Sequence, residues 1–231
     1  YETNIGGAVA KIMAKPLISR MYGSSQDWRV SKRKIKPFVD KFKIDLNDFL
    51  PEEGRSVDDP YSSFNQFFIR RFKEGKRSFS TGLNVFSAPA EARYFAYDNL
   101  DENEKIPVKG KHLSPKSIIR DERWYPVFKD GPVLLARLCP VDYHRFHFPD
   151  EGNFIDSYRI QGEYHSVNPA ALKWKPEVFL ENERHVSIVD TKNFGKIAYV
   201  EVGAMMVGKI IQTAQRDYFK KGDEKGYFLF G

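Results

Sequence analysis

The sequence predicts an α+β protein: a helical N-terminal third, residues 1–75, packed on a mostly antiparallel β domain, residues 76–231. Two observations carry this. Up to Gly75 the apolar residues recur at three and four, the spacing of amphipathic helices. Beyond Gly75 come short runs rich in β-branched and aromatic residues, bounded by Gly, Pro, Asn and Asp. With 231 residues, 41% of them hydrophobic and 29% charged, the chain can bury a real core and is not of a disordered composition.

Taken in order, IGGAVAKIMAKPLISRMYG puts Ile5, Ala8, Val9, Ile12 and Met13 on one helix face, with Lys11 and Lys15 off it. Pro16 should break or kink that helix. A second helix is expected over SKRKIKPFVDKFKI, where Ile35, Phe38, Val39 and Phe42 form the stripe and Ser31 supplies the N-cap. YSSFNQFFIRRFKEGKR gives a third amphipathic segment. Phe64, Phe68 and Phe72 repeat every four residues, Phe67 widens the stripe, and Arg70, Arg71 and Lys73 take other faces. Such stripes serve either as core packing or as basic amphipathic helices lying on a membrane.

The strands expected next are YFAY, VLLARLC, FIDSYRI, HVSIVD, KIAYVEVG, MMVGKII and GYFLFG. Several alternate apolar with polar residues, as half-buried antiparallel strands do. Gly203 and Gly208 interrupt VGAMMVGKI, which marks a bulge or a close backbone approach. Gly222 and Gly226 frame a charged turn before the last run, which stops at the bare glycine Gly231. A domain rarely ends a strand that way, so a cut at Gly231 is expected, made on the chain or by it. Since Tyr1 is not a methionine, an upstream segment is expected as well.

Composition removes several function classes. One cysteine, Cys139, excludes an internal disulfide framework and a Cys-based zinc site, and no nearby motif would activate it with His144 as a nucleophilic pair. No run of eighteen apolar residues exists. The net charge of +6 suits an anionic partner, and the excess sits early: residues 1–43 hold ten Lys or Arg against three Asp or Glu.

The residues that carry chemistry lie in PVDYHRFHFPDEG, where His144 and His147 stand three apart among aromatics and acids. Imidazoles titrate near neutrality and serve as acid–base groups. A metal would need a third ligand from an unremarkable acid, so none is expected. GxSxG, Walker A, GxGxxG and HExxH are all absent.

PVDYHRFHFPDEG, VGAMMVGKI and KKGDEKGYFLFG, in that order and spacing, resemble the phosphatidylserine decarboxylases. FNQFFIRRFKEGKR is similar to that family's helical signature, EYHSVNP to its Ser-Val-Asn segment, and SAPAEAR stands where the family shows Ser-Pro-Ala-Asp. The resemblance runs from about residue 60 to Gly231. It implies a proenzyme that cuts itself before a serine, leaving a large chain that ends at Gly231. The serine becomes a pyruvoyl group, the cofactor, on a separate C-terminal small chain that completes the β domain. That group takes up the electron pair left when CO2 departs.

The resemblance further implies site roles. His144 returns a proton to Cα, and His147 is the base of self-cleavage, held by the carboxylate at position 91. The family has aspartate there; this chain has Glu91, one methylene longer. Tyr143, Asn168, Gly203 and Gly208 are placed near substrate or pyruvoyl. The substrate implied is phosphatidylserine, converted to phosphatidylethanolamine. An anionic phospholipid membrane would be the partner of the basic, membrane-associating residues 1–75. Peripheral attachment to the cytoplasmic face of a bacterial inner membrane, or to an organelle membrane, and a homodimer go with this reading. Two alternatives stand beside it. One is a same-family decarboxylase of a free aromatic amino acid, prompted by Glu91. The other is a basic nucleic-acid-binding domain, prompted by the interleaved Phe and Arg of residues 64–77, although no nucleic-acid motif is present and no nucleic-acid partner is expected.

Overall fold

A computed structural model describes residues 14–99, 114–169, 171, 178–214 and 217–231. The stripe from Ile5 to Met13 lies outside the described residues. Helix α1 is Pro16–Asp27. Pro16 opens this helix after the extended Lys15: at the first helical position its missing N–H costs nothing and its fixed φ suits the turn. α1 buries Ser19, Gly23 and Gln26 along one stripe and leaves Leu17 and Met21 about two-thirds exposed.

A 3-10 turn, Arg29–Lys34, leads into α2, Ile35–Phe42. Ser31 does not cap α2. It is buried inside the turn, with its hydroxyl 2.8 Å from the Gln26 carbonyl and accepting the Phe64 N–H at 2.9 Å. One hydroxyl thus ties α1, the turn and the backbone at Phe64 together.

After β1, Phe49–Leu50, comes α3, Phe64–Phe68, whose first turn is capped by the Ser63 hydroxyl accepting from Gln66 N–H. The four-residue Phe period does not carry through to Phe72. Arg71–Phe72 forms β2 antiparallel to β1, and the Phe72 ring stacks on Phe49 at 4.5 Å between centroids. Strand pairing gives Phe72 an apolar partner that a longer helix would not. Phe64, Phe67 and Phe68 are buried with Ile35 and Tyr61, and Val207 and Phe230 pack against them. These phenylalanines are therefore core, not a membrane face. Arg70 also departs from expectation, since it is buried between the rings of Phe49 and Phe67.

The β region keeps closely to the expected runs. Its elements are β3 Arg93–Tyr97, α4 Pro115–Ile119, β4 Val133–Arg137, β5 Arg145–His147, β6 Gly152–Ile160, α5 Val178–Glu181, β7 Arg184–Thr191, β8 Gly195–Val202, β9 Lys209–Gln212, β10 Tyr218–Phe219 and β11 Glu224–Leu229. The strands form sheets β10-β6-β7-β8, β5-β11-β9, β3-β4 and β1-β2, with every strand pairing antiparallel. The result is the predicted α+β arrangement. β6 alternates buried or half-buried with exposed positions along its length, as a sheet with one wet face does. In β11 the register slips between Glu224 and Gly226. That bulge turns Lys225 inward, where its ammonium donates to Glu201 at 2.6 Å and Gln212 at 2.7 Å.

Candidate active site

β5 places the two histidines differently. The His147 N–H donates to the Pro89 carbonyl at 2.8 Å, which brings the SAPAEAR loop alongside β5. The His147 ring lies between Tyr143 and Phe79, at 5.9 and 5.1 Å between centroids. Its Nδ1 is 2.9 Å from the Gly222 carbonyl oxygen. A carbonyl only accepts, so Nδ1 carries the proton and Nε2 presents a lone pair. Burial lowers the His147 pKa, while the Gly222 carbonyl and then the Glu224 charge oppose this. The ring is neutral at neutral pH and ready to act as a base.

His144 is buried. Its ring stacks on Phe68 at 3.7 Å, and Phe68 in turn packs on Phe230 at 4.4 Å. Nδ1 donates to the Asp142 carbonyl at 2.8 Å, so here too Nε2 holds the lone pair. Burial is the larger reason, and the Arg70 guanidinium the second, that its pKa is pushed down to about 3. The Phe228 N–H donates to the His144 carbonyl at 2.9 Å. β11 therefore carries Gly231 away from His147, which faces Glu224, and towards the Phe68 and Phe230 rings beside His144.

Gly231 lies in a buried corner made by three segments. Its N–H donates to the Met206 carbonyl at 3.1 Å; its carbonyl oxygen accepts from Gly208 N–H at 3.0 Å and from the Ser19 hydroxyl of α1 at 2.9 Å. Residues 204–207 form a tight turn closed by Ala204–Val207 hydrogen bonds in both directions, with Met206 at φ +67°. Gly203 and Gly208, at the ends of that turn, make room mainly for the Tyr164 ring. A Cβ on Gly208 would also come within 2.5 Å of the Gly231 oxygen. Asn65 of α3, fully buried, accepts the Phe230 N–H at 3.2 Å and donates to Asp27 at 2.6 Å.

Of the residues expected from sequence, the structure brings His147 and Tyr143 together, and sets His144 on the aromatic stack that reaches Phe230. It brings Gly208 onto Gly231, with Gly203 five residues away at the other end of the same turn. Asn168 lies on the exposed loop after His165, its N–H donating to Ser166 Oγ at 3.2 Å. That loop touches the glycine turn through Met205 N–H to the His165 carbonyl, 3.3 Å. Glu91 corrects an expectation. Its carboxylate pairs with Arg77 at 3.6 Å, both half-exposed, and the nitrogen it was expected to hold on His147 is held by Gly222. Sequence reasoning missed Ser19, Arg70 and Glu224, the carboxylate directly opposite His147 in β11. No sequence pattern marks any of them, because each becomes relevant only through a contact far along the chain. Among the described residues, no cluster of three or more His, Cys, Asp or Glu could hold a metal ion. No helix there is long and apolar enough to cross a membrane.

Comparison with known proteins bears on the same segments. Residues 64–231 match the family described as phosphatidylserine decarboxylase. The whole chain is 41% identical to proteins named phosphatidylserine decarboxylase proenzyme from Clostridium beijerinckii and Clostridium botulinum, spanning 77% of each. Over 97% of the chain it is 39% identical to the protein of that name from Fusobacterium nucleatum, spanning 73% of it. Since the histidine strand, the glycine turn and Gly231 all fall inside the matched region, the chain belongs to the phosphatidylserine decarboxylase family of enzymes.

Proposed function

We propose that this chain is the large subunit of a self-cleaving decarboxylase that converts phosphatidylserine to phosphatidylethanolamine at a membrane surface. Similarity along the whole of this chain to proteins named phosphatidylserine decarboxylase proenzyme, spanning 77% of each, carries the reading. The cofactor would be a pyruvoyl group on a small chain that begins after Gly231. When bound, it supplies the carbonyl that takes up the electron pair left by CO2. The residues present fit such a group. Gly231 is fixed at both its N–H and its carbonyl, in a corner where Gly208 has no side chain to intrude, beside the stack that leads to His144.

His144 is assigned the proton traffic of decarboxylation. With Nδ1 fixed on Asp142, its Nε2 can take the proton that the substrate ammonium gives up and return it to Cα. Burial, and then the Arg70 charge, lower its pKa and keep the ring neutral in the resting site, where Nε2 is free to accept a proton. His147 is assigned the base of self-cleavage, with its tautomer set by Gly222. Because His147 faces Glu224, seven residues before Gly231, this role requires the proton to reach it through intervening carriers. Glu91 keeps a part in that reaction as a nearby charge, not as the tautomer-fixing partner. Its half-exposed pairing with Arg77 contributes on the order of 0–1 kcal/mol and is readily exchanged.

Membrane attachment is assigned to the outer face of α1 and to the 3-10 turn after it. Leu17, Met21, Trp28 and Val30 are more than half exposed there, beside Arg20, Arg29, Lys32 and Arg33. This apolar and basic pairing suits the interface of an anionic bilayer. The test is release of labelled CO2 by the processed enzyme. Dispersed phosphatidylserine should be the substrate and free aromatic amino acids should not; release from the amino acids alone would replace the lipid assignment.

A further inference from the structure

We propose that the Ser19 hydroxyl and the Gly208 N–H together form the oxyanion hole of self-cleavage, so that α1 supplies a catalytic group for a bond 212 residues away in sequence. The proposal rests on the reading above that the bond after Gly231 is the one cut.

The geometry is that of two donors on one acceptor. Ser19 Oγ lies 2.9 Å and Gly208 N 3.0 Å from the Gly231 carbonyl oxygen, and Ser19 is 1% exposed. Two donors already in place on the resting oxygen, fixed before reaction and shielded from water, can follow that oxygen as it becomes an oxyanion. Neither donor is there by default. Gly208 N–H points at Gly231 because the 204–207 turn reverses the chain, and that turn also grips the Gly231 N–H through the Met206 carbonyl. α1 comes close enough because Gly23, one turn after Ser19, has no side chain: a Cβ there would overlap the Gly231 backbone. Asn65 holds the preceding residue, Phe230, by its N–H. The carbonyl is thus held from both sides and cannot turn away from its donors.

In the step served, the hydroxyl oxygen of the residue after Gly231 forms a bond to the Gly231 carbonyl carbon, while its proton passes to a general base. The carbonyl π pair moves onto the Gly231 oxygen, which becomes the anion that Ser19 and Gly208 stabilise. As the carbonyl re-forms, the C–N bond breaks, and the base returns its proton to the leaving nitrogen. The product is an ester, isomeric with the peptide. A serine at position 19 with a merely structural role would leave this rate alone.

The experiment tracks chain separation on a denaturing gel, starting from freshly translated precursor carrying the residues beyond Gly231. Removing one oxyanion donor typically slows such a reaction on the order of 100- to 1,000-fold. Ser19→Ala should slow separation to that extent, whereas Ser19→Thr, which keeps the hydroxyl, should stay within about tenfold of wild type. Hydroxylamine, which splits esters, should not rescue the Ser19→Ala precursor, because the ester has not formed. Thermal melting of both precursors checks the fold. Wild-type rates in a folded Ser19→Ala precursor, or rapid hydroxylamine cleavage of it, would overturn the proposal and leave the self-cleavage reading standing. A wild-type precursor that never separates after Gly231 would remove both. If Ser19→Ala does not fold, the Ser19→Thr rate decides, with wild-type-like separation supporting the hole and a loss beyond 100-fold overturning it.

Discussion

His147 gives its Nδ1 proton to the Gly222 carbonyl across 2.9 Å, so the main chain, not a carboxylate, fixes which nitrogen of this ring is basic. In a Ser-His-Asp arrangement one acid both orients the imidazole and stabilises its charged form. Here those tasks are divided among three groups. Gly222 orients the ring and is the largest of the influences that raise its basicity against burial, and the charges of Glu224 and then Asp223 add to it.

That division predicts unequal effects on precursor processing. His147→Ala should stall separation outright, while Glu91→Gln should slow it by roughly 10- to 100-fold, below the range for a group that itself carries the proton. The double variant should be little worse than His147→Ala alone, since groups acting as a unit are not additive. A time course of chain separation measures all three. Normal separation of His147→Ala would move the base to His144, the histidine nearer Gly231 along β11.

His144 should behave in the opposite way. His144→Ala is expected to yield two chains normally and then to turn over about 100- to 10,000-fold more slowly than wild type. The readout is CO2 release by the separated enzyme. Full activity, or a precursor that stays whole, would remove the proton-carrier role.

Acid stability depends on the same residue. The folded His144 pKa is pushed down to about 3, below the roughly 6.5 of an unfolded imidazole, so the unfolded state takes up the proton first as the pH falls. Stability is complete above about pH 6.5 and drains away as the pH drops towards about 3, by at most about 5 kcal/mol from this group. His147, also lowered, acts in the same direction. Chemical denaturation of the processed enzyme at pH 7 and pH 5 should show the loss, and His144→Gln should shrink it. An equal pH dependence in the variant would contradict this account.

Vesicle binding should depend on α1 and not on the Phe-rich helix. Leu17, Met21 and Trp28 are 67%, 64% and 62% exposed, whereas Phe64, Phe67 and Phe68 are in the core. Replacing those three exposed residues by serine should weaken binding to anionic vesicles on the order of 100-fold, since each apolar side chain buried is worth about 1.5–3 kcal/mol and insertion at an interface is partial. Salt should weaken the wild type only in part, because apolar insertion is not screened. Unchanged co-sedimentation of the triple variant would place the contact elsewhere.

Much of this architecture is legible in the sequence because it is local. The runs that became β6, β7 and β8 announce themselves by alternation and by their flanking glycines and acids. The paired histidines, the glycines at 203 and 208 and the α+β division are legible for the same reason. Features that depend on partners far along the chain are hidden. β1, β2 and β10 are two-residue strands that exist only through their pairing. Arg70 looks like an exposed helix position, yet two phenyl rings and the Val141 carbonyl take it inside. Lys225 is inward because of a bulge, which no periodicity shows. The difference between His144 and His147, one buried under Phe68 and the other half-open beside Tyr143, is likewise a matter of packing.

The most direct test of the central claim is the intact mass, under denaturing conditions, of protein made from the full precursor. Two polypeptides are expected: a larger one ending at Gly231, and a smaller one with a blocked N-terminus that borohydride joins covalently to added substrate. A single uncut polypeptide, a cut at another residue, or substrate trapped on a lysine of the large chain would contradict it.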